Sequence, residues 1–342
     1  MSPRTLRIPA ALALVASSAL ALTGCSGGAS GAPASGGSKV SLALVRQLGA
    51  GDYYEQWLAG ANAEAKKLHA GLKVYDADGD NAKQALAVQQ ATVTKPGAIV
   101  VDHGFTDSLK SPVKAAIDQK IPIVSFDVDT GNAGVTTVDQ SDATIAKDIT
   151  DRLVSDTKGS AQVIYAYVAG YAPLDKRDAV WKSVKGANPG IKQVAQVGVV
   201  NDSTAAQTAD QVKAALQAHP GVTAILAPYD EFAKGAVQAV KELKLTDKVK
   251  VYGADISNAD IEVITADGSP WVATAATDPA NVGAVTVRAA YLLATGKKVD
   301  QAIEVPPALI TQDVLREKKI TTVPGLVQAF PGLSTPTIAA VK

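Results

Sequence analysis

The stretch Val40-Ser41-Leu42-Ala43-Leu44-Val45 predicts a buried β-strand, because it is apolar almost without a break. An amphipathic helix is predicted to follow over residues 53–69. Its apolar stripe consists of Tyr54, Leu58, Ala61, Ala65 and Leu68. A strand that is apolar on both sides, followed by such a helix, is typical of a parallel sheet with helices on both faces.

The same alternation of strands and helices continues along the chain and then starts again. The first series adds strands at 72–75, 98–101 and 122–125 and helices at 82–93 and 108–119. The second series begins with a helix marked by Ile145, Ile149 and Leu153. Its strands are predicted at 162–168, 194–199, 222–227, 249–252 and 271–275. Two successive series of this kind predict an α/β fold with two doubly wound lobes.

The N-terminus has the pattern of an export signal. Arg4 and Arg7 precede an apolar run over residues 8–22, which is the length of a signal-peptide core rather than of a membrane span. The run ends in Leu22-Thr23-Gly24-Cys25, which resembles the bacterial lipobox. We therefore predict a lipoprotein signal peptide over residues 1–24 and lipidation at Cys25. The Gly- and Ser-rich residues 25–38 predict a flexible tether.

Composition excludes several classes of protein. The 342 residues carry 33 basic and 33 acidic side chains. A protein that binds nucleic acid through its charge would need an excess of basic residues, so the balance argues against this class. A single cysteine excludes an intrachain disulfide and a Cys-x-x-Cys zinc site. Neither a dinucleotide fingerprint nor a P-loop is present, and the three histidines lack metal-ligand spacing. The sequence therefore predicts no cofactor and no metal.

Carboxylates and aromatic residues follow many of the predicted strands. Ligands of open α/β sheets bind at the carboxyl ends of the strands, where these residues lie. They are Asp52, Tyr53, Tyr54, Asp102, His103, Asp127, Asp129, Tyr229, Asp230, Asp255, Thr277 and Asp278. Carboxylates accept hydrogen bonds from hydroxyl groups, and an aromatic face can cover the C–H side of a sugar ring. The pattern favours a neutral, polyhydroxylated ligand.

Some of these residues have an alternative structural role. Asp230 and Asp278 precede helices and suit N-caps, whereas Asp127 and Asp255 have no evident capping role. Of Tyr53 and Tyr54, we expect one to pack in the core. A hydrolase that uses paired acids such as Asp127 and Asp129 is the disfavoured alternative.

An ordered set of motifs resembles the ribose-binding type of periplasmic sugar-binding protein. Its members are the lipobox, Val40–Val45 with Tyr53-Tyr54, Ile121-Pro122-Ile123-Val124 with Asp127, Ala224–Ala227 with Asp230-Glu231, and Val251–Ala254 with Asp255. The resemblance covers about residues 39–315 and implies the periplasmic binding protein type I fold. Its two lobes would be 39–138 plus 277–300 and 139–276 plus 301–320, with a C-terminal extension, 321–342, as an extended surface tail. Three hinge crossings would lie near Val138–Ser141, Thr274–Thr277 and Lys298–Ala302.

The resemblance implies a substrate-binding lipoprotein of an ABC importer rather than an enzyme. Its expected partners are a small sugar or polyol, a membrane permease and the ATPase of that permease. The protein would be an exported monomer, periplasmic or held on the outer face of the cell membrane by its lipid alone. Regulators of the same architecture carry a DNA-binding segment where this chain has a signal peptide. A receptor for a signalling system, for example of the autoinducer-2 or chemosensory type, is the alternative.

Site residues carry over from the resemblance one at a time. Tyr53 and Tyr54 match the aromatic pair that sandwiches the sugar, and Asp127 and Asp255 match the acids of the two lobes. Arg177 matches a second-lobe arginine. The remaining candidates depart from the pattern or flank it: Asp129, Asp175 in place of an arginine, Tyr229 in place of an asparagine, Asp230, and Thr277 in place of a glutamine. These departures imply an acidic pocket, so another aldose, a polyol or a ligand with a cationic group remains open beside ribose.

Overall fold

The computed structural model describes residues 39–341, which form one compact unit with two six-stranded sheets. The predicted signal peptide, Cys25 and the tether lie outside the described residues. Within the described range, no helix combines the length and the apolar character that crossing a membrane requires.

The first sheet has the strand order β11-β5-β4-β3-β1-β2, and all its neighbours are parallel. Its strands are β1 (Ser41–Arg46), β2 (Gly71–Asp76), β3 (Ala98–Asp102), β4 (Ile123–Phe126), β5 (Thr136–Asp139) and β11 (Ala302–Glu304). Its helices are α1 (Asp52–Lys67), α2 (Asn81–Val93), α3 (Thr106–Asp118) and α9 (Pro279–Ala294). This sheet and its helices are the first lobe.

Alternation along β1 explains why both faces of the first sheet are covered. Leu42 and Leu44 pack in the cluster that also holds residues of α1 and α9. Ala43 and Val45, on the other face, pack with residues of α2 and α3. Leu44 is 1 % exposed, so its replacement by alanine should cost about 2–5 kcal/mol of folding free energy.

The second sheet has the order β12-β10-β9-β8-β6-β7. Its strands are β6 (Ala161–Ala166), β7 (Ile191–Val197), β8 (Ala224–Ala227), β9 (Lys250–Ala254), β10 (Trp271–Ala276) and β12 (Ala308–Thr311). The accompanying helices are α4 (Asp142–Asp156), α5 (Ala172–Ala187), α6 (Thr204–Ala218), α7 (Asp230–Glu242), α8 (Asn258–Thr265) and α10 (Gln312–Glu317). Only its edge strand β12 is antiparallel, to β10. The predicted class, two doubly wound α/β lobes, is confirmed.

The chain passes between the lobes at residues 140–141, 277–278 and 305–307. The third crossing differs from the sequence expectation at Lys298–Ala302. Residues 302–304, assigned by the sequence to the second lobe, instead form β11 and pair with β5 in the first sheet. A three-residue strand with one buried side chain has too little apolar periodicity to be read from sequence.

The C-terminal extension is not simply an extended tail. It contains α11 (Val323–Ala329) and a short 3-10 helix, Pro331–Leu333, whose apolar residues pack in the second-lobe core. Beyond them, the carbonyls of Thr335 and Ile338 accept hydrogen bonds from Arg288 on α9 of the first lobe. The extension therefore contacts both lobes.

Two glycines set how closely α1 and α9 approach each other. A Cβ at Gly60 would lie 2.0 Å from the Ala280 carbonyl oxygen, and one at Gly283 would lie 2.2 Å from that of Trp57. Any larger side chain would push the two helices apart. This close contact fixes the start of α1, which carries Tyr53 and Tyr54, against the first lobe.

Candidate functional site: a cavity between two lobes

A cavity lies between the carboxyl ends of the two sheets, where ligands of open α/β sheets bind. The free space between its lining residues, with the open solvent at its mouth included, is about 420 Å³. The lining residues are Tyr53, Tyr54 and His103 from the first lobe, Gln140 from the hinge, and Tyr171, Pro173, Leu174, Arg177, Val200, Tyr229 and Asp255 from the second lobe.

Three strand-end residues around this cavity have a left-handed backbone. The φ angles of His103, Asp127 and Asp255, which directly follow β3, β4 and β9, are 54°, 51° and 68°. Such angles are unfavourable for residues other than glycine and concentrate at functional sites. These turns place His103 and Asp255 on the wall of the cavity and Asp127 behind it, against Gln140.

The first-lobe acid Asp127 is buried and only half satisfied. Its Oδ2 accepts a hydrogen bond of 2.8 Å from Gln140 Nε2, while Oδ1 has no partner. Gln140 Oε1 in turn accepts from the Thr277 hydroxyl at 2.9 Å. Burial raises the pKa of Asp127 well above its usual value, and the like charges of Asp142 and Asp139 raise it further. A ligand hydroxyl that donated a hydrogen bond to Oδ1 would therefore satisfy the remaining oxygen of Asp127.

His103 is held beside Asp127 by its own carboxylate neighbour. Its Nδ1 lies 2.6 Å from Asp102 Oδ1, and Asp102 is 1 % exposed. The other ring nitrogen of His103, Nε2, lies 3.9 Å from Asp127 Oδ2. The imidazole and the carboxylate therefore place polar atoms next to each other on the first-lobe side of the cavity.

The second-lobe Arg177 is, in contrast, fully engaged with the protein. Its two terminal nitrogens donate to both oxygens of Asp255 at 2.9 and 3.0 Å, and Nε donates to Asp142 at 2.9 Å. Nη1 also donates to the Pro228 carbonyl. Burial alone would lower the pKa of Arg177, but Asp255 and Asp142 raise it well above the usual value. The arginine therefore positions Asp255 rather than offering a free positive charge.

Tyr53 and Tyr54 both line the cavity, and both also pack in the first-lobe core, where only one of them was expected. Their rings meet edge to face with centroids 5.7 Å apart, which points two adjacent side chains towards the same space. The Tyr53 hydroxyl is buried without a hydrogen-bond partner. Burial raises the pKa of Tyr53 well above 10, so the hydroxyl stays protonated and can donate to a ligand.

Contacts across the mouth hold the lobes closed. The rings of Phe105 and Tyr171, at the starts of α3 and α5, meet with centroids 4.9 Å apart. Lys234 Nζ on α7 lies 2.7 Å from Asp52 Oδ2 at the start of α1. Both pairs join one lobe to the other and would separate if the lobes opened.

Five predicted site residues are not among those that line the cavity: Asp127, which lies behind Gln140, and Asp129, Asp175, Asp230 and Thr277. Asp129 lies beyond the end of β4, is exposed, and accepts a hydrogen bond from the backbone N–H of Gly131. Asp175 turns away on α5 and accepts from the Tyr167 hydroxyl at 2.6 Å. Asp230 is buried at the start of α7, where Oδ1 accepts from the Glu231 N–H rather than from the second or third residue of the helix. Thr277 acts behind the wall through Gln140.

Several lining residues were not predicted. His103 was noted at a strand end but not chosen, since it lacked a motif of its own. Gln140 follows β5, a four-residue strand that the sequence pattern did not reveal. Leu174 and Val200 are apolar, and no sequence signal separates an apolar cavity wall from a core residue.

One trio of carboxylates within the described residues has oxygens close enough for a metal ion: Asp127, Asp139 and Asp142. The ammonium of Lys176 contacts Asp139 directly and lies 3.7 Å from Asp142, and Arg177 binds Asp142 from the other side. Two side-chain cations already offset this charge, so the arrangement favours ion pairing over metal coordination.

Comparison with known proteins agrees with this geometry. A family model described as the periplasmic binding protein domain matches residues 42–298. The ribose import binding protein of Salmonella typhimurium is 28% identical over 275 residues, which are 80% of this chain and 91% of the relative. A 5-methylthioribose transporter solute-binding protein from Thermotoga lettingae, solved with 5-methylthioribose, is 40% identical with a TM-score of 0.85, covering 87% of this chain and 95% of that one.

A sugar ABC transporter structure from Yersinia enterocolitica is also similar, at 30% identity and a TM-score of 0.85, over 89% of this chain and 92% of that one. The family match spans most of the described chain, and both structures share its two lobes. This chain therefore belongs to the periplasmic binding protein family, within its ribose-type branch of substrate-binding transport proteins, which are not enzymes.

Proposed function

We propose that this protein binds a small, neutral, polyhydroxylated ligand between its lobes and delivers it to the permease of an ABC importer. The observation that carries the proposal is the half-satisfied first-lobe wall. Asp127 Oδ1 and the Tyr53 hydroxyl are buried without partners beside the cavity. Buried polar atoms are rarely left unpaired, so both atoms point to a ligand with hydroxyl groups.

The charges around the cavity favour a neutral ligand. Arg177 is the cation that lines the cavity, and its charge is offset by Asp142 and Asp255. A phosphate or carboxylate would meet the Asp127 and Asp255 carboxylates without a free cation to offset them. The names of the relatives agree with this class, since one imports ribose and another was solved with a neutral thiosugar.

Closure of the lobes supports delivery as the purpose of binding. A ligand that contacts both walls stabilises the closed arrangement by its differential affinity for it. Because the protein belongs to a transport family, the closed form is the state that the permease would recognise.

We propose further that Cys25 anchors the exported protein to the membrane through a lipid. The lipobox-like residues 22–25 and the apolar run before them support this. In cells, wild-type protein should fractionate with membranes, and Cys25→Ser should release it or leave its signal peptide uncleaved. If Cys25→Ser lost its signal peptide and still associated with membranes as wild type does, the lipid anchor would be refuted.

Isothermal titration calorimetry with a panel of neutral aldoses and polyols tests the binding proposal. At least one should bind, and ribose 5-phosphate should not. Asp127→Asn keeps the acceptor for Gln140 but replaces the free oxygen by a donor, and it should weaken binding roughly 30-fold or more.

Asp129→Asn is the matched control for this measurement, because Asp129 is an exposed aspartate two residues along the same chain segment. Its affinity should equal that of wild type. Absence of binding to every compound, or equal affinities of the two variants, would overturn the proposal.

A further inference from the structure

One wall of the cavity is apolar although the proposed ligand is rich in hydroxyls. The start of α5 contributes Tyr171, Pro173 and Leu174, and the loop after β7 contributes Val200. Leu174 is 6 % exposed and Val200 is half-buried, and both pack against the second-lobe core. This apolar wall occupies the second-lobe side of the cavity.

The geometry of α5 explains why this wall carries a leucine rather than an acid. Successive helix residues turn by 100°, so Pro173, Leu174 and Arg177 share the face that looks into the cavity. Asp175 lies on another side, where both its oxygens also lie within hydrogen-bond distance of the Gly170 N–H, at 3.2 and 3.1 Å. The acid is therefore used in the turn before α5, and the cavity receives the leucine.

Two buried polar atoms without a partner belong to the opposite, first-lobe side of the cavity. Asp127 Oδ1 and the Tyr53 hydroxyl have no partner, whereas Arg177 on the second-lobe wall makes four hydrogen bonds to the protein. A ligand hydroxyl placed against Leu174 and Val200 would lose its hydrogen bonds to water without replacement. The two walls thus suit a ligand with one polar and one apolar end.

We propose that the ligand is a neutral sugar whose end facing α5 carries an alkyl or thioalkyl group in place of a hydroxyl. This inference rests on the proposed function, because it assigns the polar end of the ligand to Asp127 and Tyr53. Leu174 and Val200 then act as specificity-determining residues, because contact with them strengthens the binding of an apolar substituent and weakens that of a hydroxyl group.

Calorimetry with two probes, ribose and 5-deoxy-5-methylthioribose, tests the inference. Wild type should bind the thiosugar at least about tenfold more tightly, because its methylthio group becomes buried against Leu174. In Leu174→Asn the ratio of the two dissociation constants should fall to about one. If that variant is unstable in thermal unfolding, Val200→Asn, on a half-buried loop residue, makes the same test.

Val180→Asn is the matched control, since it makes the same kind of change on a partly exposed residue of α5 that does not line the cavity. It should keep the wild-type ratio. Equal affinities of wild type for the two probes, tighter binding of ribose, or a ratio unaffected by both cavity variants would overturn the inference and leave the proposed function standing. Failure of wild type to bind either probe or any neutral sugar would overturn both.

Discussion

The two walls of the cavity differ in when their polar groups are satisfied. On the second-lobe wall, Arg177 binds Asp255 through two hydrogen bonds and Asp142 through a third, all before any ligand arrives. On the first-lobe wall, Asp127 and Tyr53 each keep a buried atom without a partner. The polar groups of the second-lobe wall are thus paired within the folded protein, whereas those of the first-lobe wall need a ligand to complete their hydrogen bonds.

This difference separates stability from affinity. A group that is paired within the protein contributes mainly to the folded state, and its loss leaves its partners buried without compensation. A buried group without a partner lowers the stability of the ligand-free protein, and its hydrogen bond to a ligand contributes to the free energy of binding. Substitutions on the two walls should therefore have opposite signatures, one in unfolding and the other in titration.

Replacement of Arg177 by methionine should have the largest effect. It leaves Asp142 and Asp255 buried without their cation, which should lower the free energy of unfolding by about 3–5 kcal/mol. Urea unfolding of the ligand-free protein measures this. The control is Arg152→Met, which removes a more exposed ion pair with Asp156 on α4 and should cost less than about 1 kcal/mol. Similar losses in the two variants would show that the second-lobe wall is not a structural unit.

The second lobe also contains a pair of buried acids, Asp230 and Asp260, with oxygens that have no hydrogen-bond partner. Here the second lobe does not follow the pattern of its fully paired cavity wall. Asp230 and Asp260 are both fully buried, and their free oxygens face Lys234, Glu231 and Asp255. Burial raises the pKa of Asp260 to about 6, and burial together with the charge of Asp260 raises that of Asp230 well above its usual value. The pair therefore retains protons that the unfolded chain releases near pH 4.

The sign of the resulting pH dependence follows from these directions. Between about pH 4 and 6 the folded protein binds more protons than the unfolded chain, so stability should fall as pH rises, by at most about 1.4 kcal/mol per pH unit for each proton. Asp230→Asn should flatten this slope in thermal unfolding of the ligand-free protein. Asp202→Asn, at an exposed aspartate, is the control and should keep the wild-type slope. An unchanged slope in Asp230→Asn would contradict the retained protons.

The first-lobe wall is tested by Tyr53→Phe, which removes only the unpaired hydroxyl. Ligand-free stability should stay the same or rise by up to about 1 kcal/mol, because a buried group without a partner disappears. Ligand affinity should fall about tenfold, because the loss of one hydrogen bond to the ligand costs about 1.4 kcal/mol of binding free energy. Calorimetry and thermal unfolding on the same samples measure both.

Tyr75→Phe provides the matched control, because the Tyr75 hydroxyl is also buried without a partner but lies on β2, away from the cavity. It should reproduce the change in stability and leave the affinity unchanged. A loss of stability in Tyr53→Phe without a loss of affinity would assign Tyr53 to the core instead of the ligand.

The two walls also show which parts of the fold and of the cavity could be predicted from the sequence. Strand and helix periodicity predicted most strands of both sheets. The carboxyl ends of the strands led to Tyr53, Tyr54, Tyr229 and Asp255, and the family resemblance led to Arg177; all five line the cavity. Asp175 was placed in the cavity because the family resemblance puts a binding arginine at this position early in the helix. One residue is 100° on a helix, however, and the side chain that lines the cavity is Leu174. Side-chain direction at a helix start depends on where the first turn begins, and sequence patterns leave that uncertain by a residue or more.

The smallest effect is expected where the two walls meet, at the pair of Asp52 and Lys234. Their contact joins the lobes, and Lys234 is also held by Glu231 at 2.6 Å within its own lobe. Asp52→Asn should therefore leave unfolding of the ligand-free protein nearly unchanged and weaken ligand binding two- to fivefold, as expected for one partly exposed ion pair. The difference should shrink at high salt, since screening removes the same attraction in wild type. Glu55→Gln, one turn along α1 and exposed, should bind as wild type does. If Asp52→Asn instead lowered stability and left affinity intact, the pair would belong to the fold, as Arg177 does, rather than to closure.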